Sequence, residues 1–234
     1  MGSDRANRAE NGSVMDEPVI RLPRSWYPAD SVDEWGRDAH LIEVLTPAAR
    51  LRWNVTVGGA EHLPRHRGAL LVTNSRYLSL SAIYTAWALS QATGRPVRFG
   101  GRAEIAPLGP VMQRLGGLLD KPEEISGALR AGELVVVAAK STRDPRHAGP
   151  VDPALIATAV TTATAVHPVA SMSTPFGRAA RVQVGPAIRP RRQRRGPLAE
   201  IELAEQVQVT IQRLIDGLGG LRTGIAPIDW LAEG

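Results

Sequence analysis

The strongest constraint on the fold is an unbroken apolar run, Leu134-Val-Val-Val137. β-Branched residues in series favour a strand, and a strand without polar alternation is buried on both faces. Strands of this kind occur almost only in parallel sheets that carry helices on both sides. We therefore predict that this run lies in the middle of the sheet of an α/β protein.

Helical and extended segments alternate along the rest of the chain. The predicted strands lie at residues 51–57, 69–73, 97–99, 165–170 and 180–184, and the predicted helices at 32–45, 79–92, 107–119, 123–130, 153–162 and 197–218. Asp30 or Ser31 is expected to cap the first helix, and its Trp35 and Leu41 to face a core. Aromatic residues make up 4% of the chain, so the core is expected to be aliphatic. This pattern predicts a helix-covered, mostly parallel central sheet.

The predicted helix at 107–119 has one apolar face. The side chains on this face are Leu108, Val111, Met112, Leu115 and Leu119. Their spacing is typical of an amphipathic helix that packs on a core. We expect this face to contact the core rather than a membrane.

A single domain is expected over residues 19–218, because no internal linker interrupts the pattern. Residues 1–18 are polar and lack the apolar segment of a secretory signal, so we expect them to form a disordered tail. Residues 219–234 are expected to form a second tail. The chain contains no run of about eighteen apolar residues, so no transmembrane helix is predicted. The expected location is cytoplasmic, with any membrane contact peripheral. The absence of Cys excludes disulfides, thiolate metal sites and a Cys nucleophile.

Short motifs accompany the strands in a fixed order. They are Val57-Gly-Gly-Ala-Glu-His-Leu-Pro64, Ala69-Leu-Leu-Val-Thr-Asn74, Arg102-Ala-Glu-Ile-Ala-Pro-Leu-Gly109 with Leu115-Gly-Gly-Leu-Leu-Asp-Lys121, Ala138-Ala-Lys-Ser-Thr-Arg-Asp144 and Val166-His-Pro-Val169. In this order they resemble the PlsC-like 1-acylglycerol-3-phosphate acyltransferases, from about Arg52 to Arg189. The resemblance implies the glycerol-3-phosphate acyltransferase type of sheet. It also implies an acyl-CoA or acyl-ACP donor, a lysophosphatidate-type acceptor and no cofactor.

Two positions depart from that family at its catalytic motif, His-x4-Asp. Ser75 stands at the position of the His and Leu80 at the position of the Asp. The His is the general base that takes the acceptor's proton, and the Asp orients its imidazole. Loss of such a base lowers the rate roughly 10²- to 10⁴-fold. We therefore expect a non-catalytic or weakly active relative that binds a lysophospholipid, a phospholipid or an acyl thioester.

The resemblance also implies a site for the acceptor's phosphate. Thr142 and Arg143 match the family's motif after the central strand, while Lys140 replaces its acidic residue. The guanidinium of Arg143 has the planar donor geometry that suits phosphate. The further candidates for the same anion pocket are Arg76, Arg102 and Lys121. A solvated loop is an equally good interpretation of Lys140 and Arg143, whereas Arg76, Arg102 and Lys121, taken singly, are more often surface charges.

A cluster of arginines near the end of the predicted domain has three interpretations. Its members are Arg189, Arg191, Arg192, Arg194 and Arg195. A solvated turn is the default, and a patch for anionic lipid is the alternative, since each basic residue contributes about 1 kcal/mol at an anionic membrane. Nucleic acid is not expected as a partner, because no aromatic residue is interleaved and no binding-module motif is present.

The histidines leave a second function open. His167 lies in an apolar strand and is expected in the core, whereas His62, His66 and His147 lie in predicted loops, and their spacing matches no metal motif. An active acyltransferase that takes its base from a loop, such as the one bearing His147, is the alternative to the non-catalytic reading. An interaction protein that docks on an anionic membrane or on a partner is the third hypothesis.

Overall fold

A computed structural model describes residues 31–76, 80–144, 146–173, 178–190 and 196–219. Its strands are β1 (Asn54–Gly58), β2 (Ala69–Thr73), β3 (Val97–Phe99), β4 (Leu134–Ala138), β5 (Ala165–Ser173) and β6 (Ala179–Val184). Its α-helices are α1 (Ala39–Arg52), α2 (Ser81–Thr93), α3 (Leu108–Arg114), α4 (Pro122–Arg130), α5 (Pro153–Thr161) and α6 (Pro197–Leu218). The predicted alternation of strands and helices is confirmed.

The strands form one six-stranded sheet in the order β1-β6-β5-β2-β4-β3. Every neighbouring pair is parallel except β5 and β6, which are antiparallel. The predicted mostly parallel sheet is therefore confirmed. The Leu134–Val137 run is fully buried and pairs on both sides, with β2 and with β3. It is nevertheless one strand from the edge, so that β2 and β5 occupy the centre.

Side chains of the buried strands alternate between two cores, one on each face of the sheet. Val135 and Val137 pack with residues of α4, α5 and α6, whereas Leu134 and Val136 pack with residues of α2. Full burial of an aliphatic side chain contributes about 1.5–3 kcal/mol. Within the described residues, no helix is long and apolar enough to cross a membrane.

The first helix begins later than the sequence predicts. Its cap is Asp38, whose buried carboxylate accepts the Leu41 N–H at 3.0 Å. Gly36 has a φ of 83°, in the left-handed region, and Asp33 accepts the backbone N–H of Arg37, so a turn precedes the helix. The predicted cap at Ser31 is therefore wrong, although the Ser31 hydroxyl donates to the Asp38 carboxylate at 2.9 Å. The alternative cap, Asp30, lies outside the described residues. The helix continues to Arg52, which shortens the predicted strand to β1.

A buried arginine anchors the segment that leads into α1. Arg98 on β3 is 1% exposed, and its guanidinium lies 2.7 Å from Asp33 and 3.2 Å from Glu133. The Trp35 ring lies against the same guanidinium, with 5.9 Å between its centroid and Cζ. Trp35 also packs against the core, as predicted, while Leu41 is half-buried. These contacts fix the position from which α1 starts.

The predicted helix at 107–119 is shorter in the structure. It ends at Arg114, because the chain then runs beside β3, where the Leu118 N–H donates to the Phe99 carbonyl at 2.7 Å. Met112 and Leu115 pack against the second core, as predicted. Leu108 and Val111 are 56% and 48% exposed, so only part of the apolar face contacts the core.

Candidate functional site

The two motif segments that follow β2 and β4 lie side by side. The Thr142 N–H donates to the Ser75 carbonyl at 3.1 Å, and the Ser75 and Ser141 hydroxyl oxygens are 3.3 Å apart. Ser75 is buried and Arg143 is exposed at the same end of the sheet. Ligands of α/β proteins bind at this end, outside the carboxyl ends of the strands.

Asn74, which precedes Ser75 in the chain, connects β2 to β5 through side-chain hydrogen bonds. Its side-chain amide donates to the Ser171 carbonyl at 3.0 Å and accepts the Ser171 N–H at 2.7 Å. The Thr73 hydroxyl donates to the Ser171 hydroxyl at 3.0 Å. These residues are buried, so the hydrogen bonds replace water and hold the ends of the two strands in a fixed register.

Arg76 and Tyr84 extend this polar network toward α2. The Arg76 guanidinium donates to the Ser173 carbonyl at 2.7 Å and lies 3.4 Å from its hydroxyl. Ser171 and Ser173 are also the polar neighbours of the Tyr84 hydroxyl. Burial raises the pKa of Tyr84, against the opposing effects of the serine hydrogen bonds and the Arg76 charge. The phenol is therefore a neutral donor at physiological pH.

An apolar cavity of about 410 Å³ lies between α1 and α2, and Tyr84 is one of its lining residues. Leu80, Ile83, Tyr84, Trp87 and Ser90 line it along one face of α2. At 1.5 Å per residue this face is about 15 Å long. Of these residues, Leu80 is 53% exposed and Tyr84 is buried.

The opposite wall of the cavity comes from α1, through Ile42, Leu45 and Ala49. None of the residues of α1 is buried. An amphipathic helix ordinarily buries its apolar face against a core. Here that face covers a cavity instead. The sequence did not predict the cavity, because the spacing of apolar residues in α1 is the same whether the helix packs on a core or covers a cavity.

The basic candidates divide between two neighbourhoods. Arg76 forms an isolated bridge with Thr142, which places it beside the Lys140 to Arg143 segment. Arg102 lies 3.8 Å from Glu124, and the exposed Lys121 lies 2.9 Å from Glu104. The hydrogen bond from Lys121 lowers the pKa of Glu104.

Lys140 and Arg143 are both exposed, and the Lys140 N–H donates to the Pro150 carbonyl at 2.9 Å. Of the arginine cluster, Arg189 is exposed. Arg191, Arg192, Arg194 and Arg195 lie outside the described residues. A single anion pocket shared by the basic candidates is therefore still a prediction.

The loop between β4 and α5 carries a histidine paired with a carboxylate. His147 Nδ1 lies 2.6 Å from Asp144 Oδ2, and both side chains are exposed. The Thr142 hydroxyl bonds the carbonyls of Asp144 and His147 at 2.8 and 3.1 Å. Gln212 of α6 holds the loop in place, because its side-chain amide donates to the Arg146 carbonyl at 2.8 Å. Sequence reasoning singled out His147 but missed the Asp144-x-x-His147 spacing that signals the pair.

The other histidines lie where the sequence predicts. His167 is buried and contacts the Gly185 carbonyl through Nδ1 at 3.2 Å, and burial lowers its pKa. His62 and His66 are exposed. His167 is therefore a core residue.

The structure is similar to the crystal structure of the 1-acyl-sn-glycerophosphate (LPA) acyltransferase PlsC from Thermotoga maritima, with a TM-score of 0.58. The match covers 78% of this chain and 81% of that one. This chain has the acyltransferase fold. The two sequences are 18% identical, and neither a protein family profile nor a curated protein sequence matches the chain. The similarity to PlsC therefore shows the fold, while function has to be argued from the site.

Proposed function

We propose that this protein is a lipid-binding relative of the acyltransferases that is non-catalytic or weakly active. Its ligand is a lysophospholipid, a phospholipid or an acyl thioester whose hydrocarbon chain lies between α1 and α2. The observation that carries the proposal is the apolar cavity, whose lining includes Leu80 at the motif position. A PlsC-like enzyme would present a carboxylate there, and this chain presents a hydrocarbon.

The size and lining of the cavity support a hydrocarbon ligand. Its volume of about 410 Å³ falls within the roughly 300–1,000 Å³ that is common for small-molecule sites. Aromatic and aliphatic side chains such as Ile42, Trp53, Ile83 and Trp87 form its walls. Each methylene group that leaves water contributes about 0.8 kcal/mol. A single acyl chain therefore has a large driving force for entry.

Two described contacts of Ser75 are consistent with weak catalysis. Its hydroxyl contacts the Ser141 hydroxyl and the Arg76 carbonyl, and neither of these two groups is basic enough to take a proton at neutral pH. Loss of a general base costs roughly 10² to 10⁴ in rate. Binding of an acyl chain does not depend on that base.

Acyl transfer from acyl-CoA to lysophosphatidate tests the catalytic half of the proposal. We expect turnover far below that of a relative with an intact motif, together with measurable binding of both compounds. Turnover equal to that of such a relative, and abolished by Ser75→Ala, would defeat the non-catalytic interpretation.

A second candidate function, active acyl transfer with a relocated base, is favoured by the Asp144–His147 pair. Asp144 accepts the Nδ1–H of His147, which leaves Nε2 as a proton acceptor. The loop lies beside Ser75 through Thr142. In this mechanism Nε2 takes the proton of the attacking hydroxyl, the new C–O ester bond forms, the C–S bond breaks, and the thiol leaves with that proton.

Chemical rescue tests this second candidate. His147→Ala is expected to abolish transfer, and added imidazole is expected to restore part of it. The exposed His66 is the matched control, because His66→Ala leaves the pair intact. Transfer that is unchanged in His147→Ala removes this candidate and leaves the binding proposal in place.

Exposed apolar side chains of α1 support loading from a membrane surface. Val44 and Leu51 are 54% and 70% exposed on the helix that forms the cavity wall. The exposed Arg189 and the four arginines that follow it would add attraction to anionic lipid. Flotation with anionic liposomes that weakens in high salt, and that is lost when the five arginines become glutamine, is the expected result. Absence of flotation at low salt would contradict it.

A further inference from the structure

The lining of the apolar cavity includes an arginine whose side chain has no hydrogen-bond partner in the described part of the chain. This residue is Arg37, which lines the cavity together with Val97 of β3 and Leu115. Its side chain is half-buried, and no described residue forms a hydrogen bond or an ion pair with its guanidinium. The Nε atom is buried and unsatisfied. A buried donor without a partner carries a free-energy cost that a ligand's acceptor can remove.

The charges around Arg37 leave its own charge poorly compensated. Burial lowers the pKa of Arg37 against the opposing charges of Asp33 and Glu133, and the positive charge of Arg98 adds to the effect of burial. Both carboxylates are instead paired with Arg98, at 2.7 and 3.2 Å. An anionic group in the cavity would therefore meet a guanidinium that no described carboxylate contacts.

The other charged residue of the lining has a different environment. Arg52 is exposed, and its guanidinium lies over the Trp53 ring, with 5.3 Å between Cζ and the ring centroid. Because this contact already engages the guanidinium, we assign the head-group role to Arg37 and not to Arg52.

The number and sign of these charges select the class of ligand. A guanidinium offers a planar fork of donors that a carboxylate can accept in two parallel hydrogen bonds. A carboxylate carries one negative charge, which the one cation of Arg37 balances. A phosphate monoester carries nearly two negative charges at neutral pH, and the nearby Asp33 and Glu133 would repel the excess. Apolar lining residues such as Ile42 and Leu115 suit a hydrocarbon tail.

We propose that Arg37 binds the carboxylate of a free fatty acid whose single chain lies in the cavity between α1 and α2. This assignment rests on the proposed function, because it assumes that the cavity holds a hydrocarbon chain. It names the ligand class of the cavity and gives a binding role to a residue that precedes the part of the chain resembling the acyltransferases. The fatty acid is bound without any chemical step.

Calorimetric titration of the full-length chain, freed of bound lipid, tests the assignment with two matched ligands. Dodecanoate and dodecanol share one tail and differ in the charge of the head group. We expect dodecanoate to bind about ten- to hundred-fold more tightly, which is the effect of one hydrogen bond to a charged group. Equal affinities for the two compounds would overturn the head-group site.

Variants separate a role in head-group binding from a role in folding. Arg37→Gln is expected to remove the preference for dodecanoate and to leave dodecanol binding unchanged. Arg37→Lys keeps the charge without the planar fork and is expected to retain part of the preference. Arg130→Gln, at an exposed position on α4, is the matched control and is expected to change neither affinity.

Two results with these variants would overturn the assignment. One is an Arg37→Gln variant that weakens both ligands equally, or neither. The other is an equal loss of the preference in Arg130→Gln, which would show a general attraction to positive charge instead of a site at Arg37.

Two further ligands distinguish failure of this site from failure of the proposed function. If lauroyl lysophosphatidate or lauroyl-CoA binds while dodecanoate does not, the carboxylate site is refuted and the lipid-binding function stands. If none of the four compounds binds, both proposals fail. Competition between dodecanoate and lauroyl-CoA for one cavity is the expected result, and simultaneous binding of both would overturn the placement of dodecanoate at Arg37.

Discussion

Replacing Arg98 with Met is predicted to destabilise the protein strongly. Arg98 is 1% exposed, and the change leaves the carboxylates of Asp33 and Glu133 without their shared cation. Breaking a buried ion pair from one side costs about 3–5 kcal/mol. The two carboxylates are 35% and 22% exposed and can be rehydrated, so the lower end applies. The expected loss is about 3 kcal/mol, or roughly 6–12 °C in Tm for a domain of this size.

Urea unfolding followed by circular dichroism measures this loss. Asp33→Asn is expected to cost about 1 kcal/mol, because Arg98 keeps Glu133 and the amide oxygen still accepts a hydrogen bond. Arg130→Met, at an exposed position, is the control and is expected to stay within about 0.5 kcal/mol of the parent. The reasoning fails if Arg98→Met costs less than about 1 kcal/mol, or if Asp33→Asn costs as much as Arg98→Met.

Three further predictions follow from other contacts of the structure. Asp38→Ala removes the cap of α1 and is expected to cost about 1–2 kcal/mol of unfolding free energy, with Asp38→Asn costing less because it keeps an acceptor; equal losses would contradict this. Burial lowers the pKa of His167, so the unfolded chain binds its proton more readily. The contribution of His167 is therefore present above about pH 6.5 and lost as the pH falls below it, and urea midpoints of His167→Gln should depend less on pH over that range than those of the parent. Ser75→His combined with Leu80→Asp is expected to raise acyl transfer by up to roughly 10²- to 10⁴-fold; no gain would show that the acceptor site is lost as well.

Most of the fold could be predicted from the sequence, because burial on both faces has a clear residue pattern. The run Leu134–Val137 predicted a buried parallel strand, and β4 is one. The last helix was predicted at its observed limits, because Pro197 is favourable in a first turn and Gly219 follows the last residue. Local signals of this kind do not depend on tertiary contacts.

Elements that depend on tertiary contacts could not be predicted. The start of α1 is set by Asp38 and by the contact of Asp33 with Arg98, residues that are 65 positions apart. Leu108 has the spacing of a core residue, yet it is exposed at the first position of α3. No periodicity distinguishes these outcomes.

The role of the candidate site is still a prediction. Its Ser75 and Thr142 lie side by side, because the Thr142 N–H donates to the Ser75 carbonyl at 3.1 Å. The cavity was not predicted, because it is a gap between α1 and α2 that no residue type signals. The Asp144–His147 pair was missed because its geometry depends on how the loop folds back on α6.

Quenching of tryptophan fluorescence by a brominated fatty acyl chain tests the lipid-binding proposal most directly. Trp53 and Trp87 both line the cavity, so a bromine atom on a bound chain lies close to an indole. We predict saturable quenching in the parent, its loss in Ala49→Phe, which fills the cavity from α1, and its retention in Ala39→Phe, an exposed position of the same helix. Absence of quenching in the parent, or equal quenching in Ala49→Phe, would contradict the account.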